Sequence, residues 1–186
     1  MLKKLDELNR KTYNFDTKTK LCIYLLTFII GSIAGYIYEL IYYLVMDNQL
    51  VNRGFLYGPY LPVYGFGAII MLLLLKRLKK DPLVVFLLAM LITGIVEYIT
   101  GYLMFHIYHK TWWDYTGFFL NIDGYVCLRS VLSFGIGGLL LIYVIDPIVC
   151  KICAKSDSNK YLLVSILAIL LIVIDFLFTL IFRNKL

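Results

Sequence analysis

The chain has 186 residues, 61% of them hydrophobic and 16% charged, with a formal net charge of +6. Its mean hydropathy of +0.83 excludes a soluble domain with an ordinary polar surface. The basic surplus lies beside apolar runs rather than in a separate basic domain, which argues against a nucleic-acid partner.

Residues 1–20 form a basic tail carrying Lys3, Lys4, Arg10, Lys11, Lys18 and Lys20. Leu2, Leu5 and Leu8 are spaced for a short interfacial helix, and a solvated tail fits equally well. The apolar run 21–46 follows; it is too long for a signal peptide and lacks a small-residue cleavage site, so it is expected to stay as a helix. Further runs cover 55–75, 82–105, 127–145 and 161–182. Each can cross a hydrocarbon core of about 30 Å, which takes about 20 helical residues. The predicted fold is all-α, a polytopic membrane helix bundle of about five transmembrane helices, with 21–186 as one transmembrane domain.

Basic residues also gather in the loop after the second run (Lys76, Arg77, Lys79, Lys80) and after the fourth (Lys151, Lys155, Lys160). The positive-inside rule then puts the N-terminus in the cytoplasm and the C-terminus outside. On that topology Glu39, Arg53, Glu97, Arg129 and Asp175 lie toward the outer leaflet, with the loop residues Asn52, Asp114, Asn121 and Asp123.

Charge inside a span costs roughly 3 kcal/mol on insertion scales, so such residues face a partner, a cavity or a substrate. Glu39 shares a helical face with Gly31, Ser32 and Gly35; Glu97 shares one with Thr93, Gly94, Thr100 and Gly101. Small faces let helices approach closely, so both carboxylates are expected to point into protein. Ser130, Ser133, Gly137 and Gly138 give the fourth run a comparable face, and Ser165, Ala168, Asp175 and Thr179 give the fifth a thin one.

Residues 52–68, NRGFLYGPYLPVYGFGA, load the start of the second run with glycine and proline. Such a stretch is expected to be kinked or partly unwound. Unwound backbone at membrane depth must be buried in protein or line a cavity. In the loop 106–126, Trp112, Trp113 and Tyr115 suit the headgroup interface. Asp114, Asn121 and Asp123 could instead make the loop a lid over the charged cluster. His106 and His109 lack further ligands, and the Cys150/Cys153 pair supplies two ligands where structural zinc wants four. No metal or other cofactor is expected, and the cysteines, Cys22 and Cys127 included, read as free thiols.

These residues carry a resemblance. GYIYEL around Glu39, NRGFLYGPYLPVYGFGA, EYITGYL from Glu97, WWDY at 112–115, N-x-D-G at 121–124, CL at 127–128 and FG at 134–135 stand in the order of the ABC-transporter type IV (CmpB-like) bacterial membrane proteins, which the chain resembles from about residue 30 to 145. The resemblance implies a small multi-pass permease of the bacterial cytoplasmic membrane. Its pattern departs at Asp123, where the family tends to asparagine, at Tyr125, where it tends to arginine, and at Arg129, where it tends to an acid. Arg129 would then restore the missing positive charge one turn along.

Three functional readings follow. The first is a permease or transporter component with a charged cavity toward the outer leaflet, built from Glu39, Asn52, Arg53, Glu97, Trp113, Asp114, Asn121, Asp123 and Arg129. The chain carries no GxxxxGK[ST] phosphate loop, so ATP coupling would need a separate ATPase subunit, and a homo-oligomer could assemble a pathway that one small subunit cannot. The second is an intramembrane enzyme acting on a lipid or lipid-linked envelope precursor, with Glu39 or Glu97 as general base and Arg53 clamping a phosphate. The third is a non-transporting scaffold whose charges hold helices in register. Membrane lipids are partners in all three.

Overall fold

The computed structural model describes residues 15–48, 54–109, 111, 113–154 and 158–182. Helix accounts for 80% of the described residues, and no strand occurs among them. In chain order the helices are α1 (Thr17–Asp47), α2 (Pro62–Leu75), α3 (Pro82–Tyr108), α4 (Leu128–Leu140), α5 (Asp146–Ala154) and α6 (Ser158–Phe182). The stretches Thr17–Met46, Pro82–Ile107, Leu128–Ala154 and Asn159–Phe182 are long and apolar enough to cross a membrane.

Local chemistry explains most boundaries. Asp81 caps α3 by accepting the backbone N–H groups of Leu83 (3.0 Å) and Val84 (3.3 Å), with Pro82 at the first helical position where its missing N–H costs nothing. Asn48 and His109 close α1 and α3 in the left-handed conformation, at φ 52° and 54°.

Two of the predicted spans need correction. The second keeps its expected unwound start and is helical only from Pro62; residues 54–61 run as bends and irregular backbone, because Gly58, Pro59 and Pro62 deprive a helix of donors and propensity there. The fourth does not stop at 145. It passes through a single π-helical turn, Leu141–Ile145, and continues to Ala154. Pro147 has no N–H to give, and its ring would collide with the carbonyl one turn back; the wider turn just before it absorbs that conflict.

The chain forms two compact units, Met1–Ile69 with Asp146–Leu186, and Ile70–Ile145. In the first, α1 packs on α6 and α5. Its core includes Cys22, Ile23, Val149, Cys153 and Ile172, with the small polar residues Ser32, Ser165 and Thr179 fully buried among them. In the second, α3 packs on α4 around Leu72, Leu75, Val85, Ala89 and Ile142. Large apolar residues stay exposed along every long helix, for example Leu91, Ile95 and Ile99 on α3. This outward apolar surface is what a lipid-facing helix presents.

Candidate functional site

In the first unit, the small face of α1 receives the start of α2 at very short range. A Cβ on Gly35 would lie 2.1 Å from Tyr64 Cγ, and one on Gly31 would lie 2.8 Å from Ala68 Cβ. That approach lets the Tyr64 hydroxyl donate to Glu39 Oε1 at 2.5 Å. Glu39 therefore points at protein, as its face requires. The approach also places the Leu61 N–H 2.9 Å from the Ser32 carbonyl, so the non-helical segment borrows an acceptor from a helix wall.

The other end of that segment is held by Asp175. Its Oδ2 accepts the Gly58 N–H at 2.9 Å and the Tyr60 hydroxyl at 2.6 Å; its Oδ1 accepts the Tyr57 N–H at 3.2 Å and the Thr179 hydroxyl at 3.3 Å. Asp175 supplies in one carboxylate the acceptors that unwound backbone lacks. It sits on the thin α6 stripe with Ser165 and Thr179, both fully buried. The segment 54–61 is thus strapped to α1 on one side and α6 on the other.

The second unit has its own carboxylate. Glu97 Oε1 accepts the Tyr115 hydroxyl at 2.9 Å, and Oε2 accepts the Ser130 hydroxyl at 2.7 Å, while Ser130 Oγ in turn accepts the Cys127 N–H at 3.2 Å. The helical face around Glu97 packs as the sequence predicts: a Cβ on Gly94 would meet Val131 at 3.1 Å, and one on Gly101 would meet Tyr125 at 2.9 Å. On α4 the close approaches come from Gly135 and Gly138, whereas nothing lies within 4 Å of a Cβ on Gly137.

The loop between α3 and α4 folds on itself and onto α3. Asp114 Oδ1 accepts the Thr116 N–H at 2.8 Å, Tyr115 N–H reaches the Gly124 carbonyl at 2.9 Å, and Trp113 Nε1 reaches the Tyr125 carbonyl at 2.8 Å. Asn121 links Phe118 and Gly124 (3.0 and 3.3 Å), and Asp123 accepts the Tyr98 hydroxyl at 2.8 Å. Gly124 is required here twice over: its φ is +72°, and a Cβ would lie 2.9 Å from both Asp114 Oδ1 and Thr116 Oγ1. The hydrogen bonds from Thr116, side chain first and backbone second, hold the Asp114 carboxyl below its ordinary 3.8.

Of the residues singled out in the sequence, Glu97, Trp113, Asp114, Asn121 and Asp123 come together in this loop network. Arg129 lies beside it, its guanidinium carbon 4.1 Å from the centroid of the Phe118 ring. Glu39 belongs to the first unit. Asn52, Arg53, Trp112, Lys155 and the tail of residues 1–14 lie outside the described residues. His106 stacks on Tyr102 at 4.0 Å, with Nδ1 2.8 Å from the Tyr102 carbonyl.

Sequence reasoning missed the hydroxyl partners Tyr60, Tyr64, Tyr115 and Ser130, and it missed Asp146. That aspartate is 1% exposed in the first unit, 3.3 Å from the Cys150 Sγ that donates to it. Its signal was the Asp-Pro pair after an apolar run, which reads as a helix end but stands inside one. Close by in the same unit, Cys22 Sγ and Cys153 Sγ are 2.6 Å apart, and all four cysteines are buried and unbridged.

The family model described as Putative ABC-transporter type IV matches residues 26–180. No curated protein and no solved structure matches the chain.

Proposed function

This chain belongs to the family described as Putative ABC-transporter type IV, a transporter-related membrane protein family, and from that premise we propose that it is a multi-pass permease component of the bacterial cytoplasmic membrane. An ATPase subunit supplies the ATP hydrolysis, as association with such a subunit is what an ABC-transporter family suggests; the pattern GxxxxGK[ST] does not occur in the sequence. The observation that carries this reading is the non-helical segment 54–61, strapped by Asp175 and by the α1 wall. Broken helices at membrane depth are the device by which transporters present backbone groups to a polar cargo. Glu39 stands one helical turn of α2 from that break, through Tyr64, and supplies the charge at the candidate pathway. The loop network around Glu97, with Trp113, Asp114, Asn121 and Asp123, is a separate candidate binding region within the second unit. The N-terminal tail faces the cytoplasm, as the basic residues at the helix ends support.

The test is co-purification of the tagged chain from bacterial membranes in mild detergent, followed by reconstitution with whatever ATPase it retains. The reading expects a bound ATPase whose hydrolysis rises with the permease present and falls with Glu39→Gln. Recovery of a lipid-linked precursor that the chain alone converts, with no ATPase, would replace the permease by an intramembrane enzyme.

A further inference from the structure

A groove in the second unit is lined by Phe118, Phe119, Arg129, Leu132, Ser133 and Ile136 and encloses about 410 Å³. That volume falls within the roughly 300–1,000 Å³ usual for small-molecule sites. Its walls are apolar and open outward: Phe119 is 74% exposed and Ile136 55%. Arg129 gives the lining its formal charge, with the guanidinium set over the Phe118 ring.

We propose that this groove binds one anionic phospholipid, the phosphate at Arg129 and an acyl chain along α4. The order of chemistry along the groove carries the inference. Arg129, Leu132, Ser133 and Ile136 are spaced i, i+3, i+4 and i+7, so they lie on one face of α4. From Arg129 to Ile136 that face runs roughly 10 Å along the axis at 1.5 Å per residue. Arg129 stands in the first turn of the membrane-spanning stretch Leu128–Ala154, and the apolar positions follow deeper into it. A phospholipid in a bilayer has the same order, with charge at the interface and hydrocarbon beneath. The guanidinium has five N–H donors in a planar fork matched to phosphate, so it engages a lipid phosphate while stacked on Phe118. A soluble phosphate would leave the apolar length of the groove unused. The site stands independently of the transport reading.

The full-length protein in mild detergent is titrated with phosphatidylglycerol or phosphatidylcholine of identical acyl chains, and the retained lipid is read by native mass spectrometry. The wild type should hold a single phosphatidylglycerol and prefer it over phosphatidylcholine about tenfold, because both lipids carry the phosphate but the choline cation of phosphatidylcholine repels the Arg129 guanidinium. Arg129→Gln should remove that preference, and Ile136→Trp, which fills the groove, should lower retention of both lipids. If Arg129→Gln does not fold, Ile136→Trp decides. Equal retention of the two lipids by the wild type means annular lipid only and overturns the proposal. Unchanged retention in Ile136→Trp overturns it as well, as does glycerol 3-phosphate binding as tightly as the whole lipid.

Discussion

The Tyr60 hydroxyl lies 2.6 Å from Asp175 Oδ2, joining residues 115 apart in the chain. With the Tyr57 and Gly58 N–H groups on the same carboxylate, it makes Asp175 the fastening of the non-helical segment. The charge on α6 thereby compensates the proline and glycine that keep 54–61 from coiling.

Asp175→Ala should leave these donors without their acceptor and lower stability by about 2 kcal/mol, within the range for hydrogen bonds to charged groups. Asp175→Asn, which keeps one acceptor oxygen, should cost about half as much, and Tyr60→Phe less than about 1 kcal/mol. Thermal unfolding in detergent reads all three. Equal midpoints for Asp175→Ala and wild type would mean that the strap does not hold the segment.

Neighbouring glycines on α4 should respond in opposite directions. A Cβ at Gly138 would lie 2.6 Å from Ala89 Cβ, so Gly138→Ala should part α3 from α4 and cost about 1–3 kcal/mol. Gly137 has nothing within 4 Å, so Gly137→Ala should be neutral or stabilise by up to about 1 kcal/mol through helix propensity. The ranking of the two unfolding midpoints decides, and a stabilised Gly138→Ala would contradict the packing.

Glu97 should govern the order of the loop between α3 and α4. Removing its carboxylate in Glu97→Ala takes one acceptor from each of the Tyr115 and Ser130 hydroxyls, so limited proteolysis should cut the 113–126 loop several-fold faster, since local opening tracks local stability. Tyr115→Phe should give part of the effect. Cleavage at the wild-type rate in Glu97→Ala would remove Glu97 from the network.

The Asp114 carboxyl titrates below 3.8, so the stabilisation it gives the loop is fully present above that value and is lost as pH falls below it. Trp113 emission should stay level from neutral pH down to about pH 4 and shift only below. Asp114→Asn should flatten that acid step. An Asp114-dependent transition between pH 5 and 7 would reverse the sign assigned here.

Cys22 and Cys153 should cross-link. With their sulfurs 2.6 Å apart, a membrane-permeant oxidant such as copper phenanthroline should join them within the chain and speed its migration on a non-reducing gel. Cys22→Ser and Cys153→Ser should each abolish the shift, whereas Cys127→Ser should not. Its survival in Cys22→Ser would separate α1 from α5.

Most of the helices, and the faces that α1 and α3 turn inward, were legible in the chain. Gly31, Ser32, Gly35 and Glu39 sit on one side of α1 whatever surrounds them, because 3.6 residues per turn is a local property. The same holds for Gly94, Glu97 and Gly101 on α3, and Asp81-Pro82 marks the start of α3 by local capping alone. The break before Pro62 was legible too, since proline withholds a donor in any context. What the tertiary structure decided is which group satisfies each of the carboxylates Glu39, Glu97 and Asp175. Tyr64 reaches Glu39 from 25 residues away, Ser130 reaches Glu97 from 33 and Tyr60 reaches Asp175 from 115. Such partners are fixed by helix packing and not by spacing along the chain. Pro147 shows the same divide from the other side: read locally it ends a helix, yet packing around Asp146, Val149 and Cys153 keeps the helix running, and a π turn absorbs the conflict.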